Sequence, residues 1–465
     1  MDEESRTLEI DALENAIEHR DDNTFKQSAE HIHYADLATV FENLNDDSRS
    51  FFTANIDLEK FSEILAELPN TLIEETIERF GEYAQKYMLG KLLDDDRADI
   101  LQDVSAQARE RYLSLLQPDE QEVTRSLMRY DEQSAGGRMT THAAKLTEDM
   151  NLRSALDSLS QYKDSSESLA RIYVVDEQGK LKGKTKLRAL AFNEPTKSVS
   201  DIMEDIDIKI LATADQEDAA QIFAKYDMTL LPVVDEYDQL LGVITHDDVL
   251  DIIKEESTED IEKMSGIAGE QSEETYLNTA ISTHFKRRFP WLLILALLAI
   301  SSGYVMLRYE SILSNIYLLA LYLPMVVSAG GNTGGQAAAM VIRAMSLGEI
   351  ESGSTAKVVI KESILGIFLG LSLGVCIAVI TALILPIFSP DLPAGVTLFN
   401  FSLSVSIALA AQILTSTLTG ALLPLGARAI KLDPAVVAAP AITTLVDISG
   451  MVIYFSVANI ILGLS

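Results

Sequence analysis

The sequence predicts a multidomain chain with an all-α superhelical N domain, an α/β region of two tandem repeats, and an α-helical membrane domain with five transmembrane helices. Three observations predict it. An apolar period of 24 residues runs through the first 120 positions. The string VVDEQGKLKG at Val174 returns as VVDEYDQLLG at Val233, 59 residues on. Beyond Phe289, long uncharged runs replace a polar, acidic chain. A length of 465 residues leaves room for several domains. The expected boundaries are 1–135 for the N domain, 136–200 and 201–257 for the two repeats, 258–288 for a connecting helix and 289–465 for the membrane domain.

In the N domain, Phe41, Leu65, Leu89 and Leu113 are spaced by 24, and Leu44, Leu68, Leu92 and Leu116 follow each by three. Apolar residues at i and i+3 mark one face of a helix. A fixed period of this size predicts stacked helical hairpins.

Each α/β repeat reads as a β-branched run, a turn, and an apolar–Gly step into another strand. A helical stretch precedes each, near Leu152–Leu159 and Glu217–Tyr226. The pattern is similar to the tandem CBS module, in which two β-α-β-β-α units pair around a cleft. In that family a Thr or Ser followed three residues later by Asp often contacts the ribose and phosphates of an adenine nucleotide. Thr245 and Asp248 stand at those places in the second repeat, whereas Lys186 and Ala189 occupy them in the first. The resemblance therefore implies ATP as a ligand of the second repeat.

Charge is as uneven as hydropathy. Residues 289–465 hold six Lys/Arg and seven Asp/Glu, a net −1; the whole chain is −33, which leaves −32 on residues 1–288. Such a surface excludes a nucleic-acid partner, which needs a basic face, and suits cations. The acids cluster. Asp94, Asp95, Asp96 and Asp99 lie in the helical domain. Asp247, Asp248, Asp251, Glu255, Glu256, Glu259 and Asp260 follow the last strand of the second repeat. On a helix, Asp248, Asp251, Glu255 and Glu259 share a face. Hard cations take oxygen ligands of this kind. An enzyme is not expected: no Ser-His-Asp grouping, phosphate loop or zinc spacing occurs, and the six His, including His31 and His33, form no ligand pattern. The single cysteine, Cys376, rules out an intrachain disulfide. No basic, then apolar, leader opens the sequence, so the N-terminal half is expected in the cytoplasm.

The uncharged runs are Phe289–Leu307, Ser311–Ile342, Ser363–Pro390, Leu392–Ala427, and Pro434–Ser465, the last broken only by Asp447. Each reaches the roughly 20 residues a spanning helix needs. With five alternating helices, Lys286, Arg287, Arg288, Arg343, Lys357, Lys361, Arg428 and Lys431 fall on one side and Arg308 on the other. The positive-inside rule then puts the N-terminus in the cytoplasm and the C-terminus outside. Gly366, Gly370 and Gly374 form a small-residue stripe for close helix packing. Asp447 has 13 uncharged residues before it in its run and 18 after. An ionised carboxylate at that depth is costly and should face a polar cavity. Asn332, Thr443 and Thr444 are polar companions for it, and Pro324 and Pro440 free helix carbonyls.

Two segments carry a more specific resemblance: PMVVSAGGNTGGQAAAMVIRAMSLGEI from Pro324 and DPAVVAAPAITTLVDISG from Asp433, with KRRFPWLL at Lys286. Together with the domain order, they resemble the MgtE family of bacterial magnesium channels over essentially the whole chain. The resemblance implies a homodimer in the bacterial inner membrane, with a pore on the two-fold axis. Asp447 would hold a hydrated Mg²⁺, with Asn332, Pro440, Ala441, Thr443 and Thr444 around it. It also implies regulatory Mg²⁺ between the N domain, the CBS pair and the connecting helix. The ligands there would come from Asp95, Asp96, Asp99, Asp248, Asp251, Glu255, Glu256, Glu259 and Asp260. The rival readings are an alternating-access carrier and a membrane-anchored metal or nucleotide sensor that transports nothing.

Overall fold

The computed structural model describes residues 3–162, 169, 171–267, 276, 277, 279–350, 353–388, 392 and 395–463, and it divides into two compact units.

The first unit opens with α1 (Glu3–His19) and α2 (Asp22–His31), followed by four helix pairs: α3 (Tyr34–Asn43) and α4 (Asp46–Asn55), α5 (Leu58–Ala66) and α6 (Asn70–Glu78), α7 (Glu82–Lys91) and α8 (Asp94–Asp103), α9 (Ala106–Leu115) and α10 (Pro118–Leu127). Successive pairs start 24 residues apart, so the apolar period is the hairpin period. Phe41, Leu65, Leu89 and Leu113 are all fully buried in one continuous core. Asp21, Asn45, Asp57 and Ser105 cap helices by accepting from backbone N–H groups of the first turn, which fixes the short corners.

The α/β region holds two sheets. The first contains β1 (Lys145–Thr147), β2 (Ile172–Val175), β3 (Leu181–Thr185) and β4 (Glu204–Asp205), with α11 (Leu152–Ser158) and α12 (Leu187–Phe192). The second contains β5 (Ile210–Leu211), β6 (Leu231–Val234) and β7 (Leu240–Ile244), with α13 (Gln216–Tyr226) and then α14 (His246–Met264). The 59-residue repeat extends to the irregularity of the ladder. Val174 pairs with Gly183 and Val175 with Leu181; Val233 pairs with Gly242 and Val234 with Leu240. The two hairpin turns bond each other reciprocally, Leu181 N–H to the Asp238 carbonyl at 2.9 Å and Leu240 N–H to the Gly179 carbonyl at 3.0 Å.

The second unit contains α15 (Ile281–Arg308), α16 (Glu310–Asn315), α17 (Leu318–Ser346), α18 (Thr355–Ile384), α19 (Leu398–Ala429) and α20 (Pro434–Leu462). Helix α19 is central, packing on α17, α18 and α20. The glycine stripe of α18 does pack: a Cβ on Gly370 would come 2.7 Å from the Ala410 carbonyl oxygen. Backbones approach as closely between α17 and α19, where a Cβ on Gly420 would meet the Gly334 carbonyl at 2.2 Å.

The C-terminal region is helical, as expected. Among the described residues, four stretches are long and apolar enough to cross a membrane: Ile281–Arg308, Thr355–Ile387, Leu398–Ala429 and Ile442–Leu462. The second expected span is helical, but its first turns form the separate α16, and α17 carries Ser328, four glycines, Asn332, Thr333 and Gln336, which lower its apolarity. The middle of the connecting helix expected over 258–288 lies outside the described residues. Residues 258–264 continue α14 out of the second repeat, and α15 runs from Ile281 to Arg308 and so includes the first expected span; the segment between lies largely outside the described residues.

Candidate functional site

Two carboxylate centres stand out, one in each unit. In the first unit, Asp94, Asp95 and Asp96 occupy the first turn of α8, where the positive end of the helix dipole favours anions. Asp94 is already engaged. It pairs with the buried Arg97, which also donates to Thr124 Oγ1 at 2.9 Å, and it accepts from Thr141; His142 Nδ1 lies 3.3 Å away. Asp95 is buried, and its Oδ1 has no hydrogen-bond partner. Burial, then Asp248, Asp96 and Asp99, hold its carboxyl well above the usual range. Asp96 is pushed up to about 7 by burial, then by Asp248, Glu67 and Asp247. Asp99 also rises to about 7 through burial, although Arg138 pulls the other way.

Asp248 faces this group from α14. Its carboxylate accepts from Thr245 N–H at 3.2 Å and from the Thr245 hydroxyl, while Asp248 N–H approaches Thr245 Oγ1 at 3.5 Å. The Thr-x-x-Asp motif therefore closes the start of α14 as a reciprocal cap. In the first repeat, Lys186 gives α12 no side-chain cap. Burial raises the Asp248 carboxyl, Thr245 lowers it and Asp247 raises it again.

The acids expected on one face of α14 take different partners. Glu67, the C-cap residue of α5, is raised by burial and by Asp251. Glu255 pairs with Arg138, which also donates to Gln216 Oε1 at 2.9 Å. In the second unit, Lys263 lies 2.7 Å from Glu259 and 2.6 Å from Asp433, and Ser346 donates to Asp260 at 3.2 Å. Burial opposes the Lys263 charge, but Asp433 and Glu259 outweigh it and push the ammonium up to about 12. Glu256 is half-buried on the same helix. Among the described residues, no three His, Cys, Asp or Glu side chains converge to hold a metal ion directly.

In the membrane unit, Asp447 is half-buried on α20. Among the described residues no ion pair or hydrogen bond reaches its carboxylate. Thr443, one turn earlier, is exposed and Thr444 is half-buried. Helix α17 presents Ser328, Asn332, Gly335 and Gln336 as exposed positions, while Gly330, Thr333 and Gly334 are buried against its neighbours. Pro440 and Ala441 lie within α20, but their side chains are outside the described residues.

Comparison with known proteins gives three family matches: a divalent cation transporter domain over residues 323–457, an MgtE intracellular N domain over 32–133, and a CBS domain over 199–255. The magnesium transporter MgtE of Thermus thermophilus is 32% identical over 97% of this chain and 98% of its own length. The chain belongs to the MgtE family of magnesium transporters. The MgtE of Bacillus subtilis is 28% identical over 94% of this chain and 93% of its own. A solved structure described as the cytosolic domain of the Mg²⁺ channel MgtE in complex with ATP is 34% identical, covering 52% of this chain and 98% of its own, with a TM-score of 0.49.

Membership makes Mg²⁺ the transported substrate and the chain a membrane protein rather than an enzyme. It also gives context to residues that sequence reasoning missed. Glu67 joins the acids around Asp96 only through the stacking of α5 near α8, and nothing in its local sequence marks it. Arg138 serves three acids at once, lowering Asp99 and Asp248 and pairing with Glu255. Gln412 left a signal: it is an amide in the middle of an uncharged run.

Proposed function

We propose that this magnesium transporter is a Mg²⁺-selective channel that closes when cytoplasmic Mg²⁺ occupies its acidic first unit. The observation that carries the gating half is Asp95. A buried carboxylate oxygen with no donor, opposite Asp96 and Asp248, is unstable without a counter-charge. A protein cation does not fill that role as Arg97 does for Asp94. A hydrated Mg²⁺ does. It keeps several of its waters, so it needs carboxylates near its shell rather than a closed cage of direct ligands. Asp95, Asp96, Asp99, Asp248 and Asp251 would hold it, with Glu67 at the edge. Glu255, Glu256, Glu259 and Asp260 continue the acidic face along α14.

Without the ion these carboxylates repel one another and favour separation of the helical domain from the CBS pair. With it the repulsion becomes attraction, and differential binding to the closed arrangement shifts the equilibrium. Helix α14 transmits the change, since it starts in the second repeat and ends in the membrane unit. In the pore, two copies of Asp447 on a dimer axis attract the ion, and Thr443, Thr444, Asn332, Pro440 and Ala441 line its path. The N-terminus lies in the cytoplasm of a bacterial cell and the C-terminus outside, by the positive-inside count. ATP binds the second repeat at Thr245 and Asp248, where the hydroxyl and carboxylate exchange their mutual cap for contacts with a phosphate and a ribose hydroxyl. Purified protein in liposomes tests the proposal: discrete single-channel steps that vanish as Mg²⁺ is raised on the cytoplasmic face support it. Flux without steps would make the protein an alternating-access carrier.

A further inference from the structure

The amide of Gln412 sits deep in the membrane unit, with no solvent exposure. Burying an amide among membrane helices is unfavourable unless its polar atoms are met, and a leucine would pack there without that demand. Its Nε2 donates to the carbonyl of Val446, 34 residues away on α20, at 2.8 Å. Ser449 reaches the same carbonyl at 3.2 Å, and Thr415 approaches Gln412 Oε1 at 3.5 Å. Two glycines make room for the side chain. A Cβ on Gly330 would lie 2.4 Å from Nε2, and one on Gly450 would lie 2.7 Å from it. Gly330 belongs to the GGNTGGQ segment and Gly450 closes the DISG segment. Three helices, α17, α19 and α20, thus meet at one amide.

Val446 is the residue before Asp447. Successive residues on a helix point about 100° apart. Val446 is fully buried against the bundle, while Asp447 is half-exposed. The bond from Gln412 therefore fixes the rotation of α20 about its own axis at that turn, and with it the direction in which Asp447 leaves the helix. We propose that Gln412 is a positioning residue for the ion path, acting through the Val446 carbonyl to aim Asp447. This rests on the reading of Asp447 as the pore carboxylate.

The test is Gln412→Met, which keeps the length and bulk of the side chain and removes the donor. In proteoliposomes, maximal Mg²⁺ flux should fall and the apparent KM for Mg²⁺ should rise, each by roughly tenfold, the lower end of what losing the support of an ion-binding group costs. Elution volume and thermal transition should match the parent. Gln412→Asn keeps both amide atoms but is one methylene too short to reach Val446, so it should behave like the Met variant. Flux and KM within a factor of two of the parent in either folded variant would overturn the proposal. So would loss of flux with KM unchanged, or failure of both variants to fold, since Gln412 would then be a packing residue only. Asp447→Asn, measured in parallel, separates the two ideas: if that variant keeps its flux, the pore reading itself fails, whatever Gln412 does.

Discussion

The two carboxylate centres are built in opposite ways. In the first unit, Asp95, Asp96, Asp99 and Asp248 are crowded, partly or wholly buried, and raise one another's proton affinity. In the membrane unit, among the described residues, Asp447 stands without an acidic neighbour or a cationic partner. Crowding makes a centre whose packing depends on what neutralises it, whether protons or Mg²⁺. Isolation within its chain makes a centre that a hydrated ion enters and leaves, because carboxylates acting through retained water hold it weakly. The same chemical group therefore suits a sensor in one setting and a path in the other.

The sharpest break in this comparison is at Asp447. Asp447→Asn keeps the shape and removes the charge, so Mg²⁺ flux into liposomes should drop about a hundredfold while the protein still folds. A variant that conducts near the parent's rate would leave Asp447 a helix-packing residue.

Protons should act on the crowded centre next. Asp96 and Asp99 are raised to about 7 from an ordinary value of 3.8. Their folded forms hold protons more tightly than the unfolded chain does, so their stabilising contribution is present below the unfolded value and is lost as pH rises through about 7. Mg²⁺-free protein should thus melt at least roughly 5 °C lower at pH 8 than at pH 6, and added Mg²⁺ should recover most of the difference at pH 8. Equal transitions at both pH values without Mg²⁺ would mean that the acids are solvated. Asp96→Asn together with Asp99→Asn should flatten the dependence.

The nucleotide expectation is smaller and sharpens the contrast between the repeats. Thr245 and Asp248 start α14 as a cap, whereas Lys186 and Ala189 give α12 none. ATP should bind once per chain by calorimetry, and Asp248→Ala should weaken it by roughly tenfold through loss of a charged acceptor. Absence of heat at millimolar ATP removes ATP from the account and leaves Thr245–Asp248 a structural cap. Outside both centres, Gly370→Leu should act on stability alone, because the added side chain meets the Ala410 carbonyl oxygen. It should lower stability in detergent by about 1–3 kcal/mol. An unchanged denaturation midpoint would mean that α18 and α19 separate freely.

Much of this was legible in the sequence because it rested on periods. Leu65 and Leu89 announced the hairpins through a 24-residue spacing that repeated burial requires, and Val174 and Val233 announced the repeated hairpins of the two sheets, though not their matching bulges. The acids were legible as a population but not as a site. A helical wheel groups Asp248 with Glu255 and Glu259, yet Arg138, from a distant segment, claims Glu255, and Lys263, one turn on in the same helix, claims Glu259. Asp94 looked equivalent to Asp95 until Arg97 was seen to neutralise only one of them. The second membrane helix was blurred for a different reason. The glycines that let α17 pack against α19 and α20, together with its exposed amides Asn332 and Gln336, weaken its hydropathy.

The most direct measurement of the central claim is single-channel recording of the parent and of Asp95→Asn/Asp96→Asn/Asp248→Asn while Mg²⁺ is titrated on the cytoplasmic face. The account predicts discrete openings in both, closing in the parent as Mg²⁺ rises and persisting in the triple variant at the same concentrations. Closure of both proteins over the same Mg²⁺ range would contradict it.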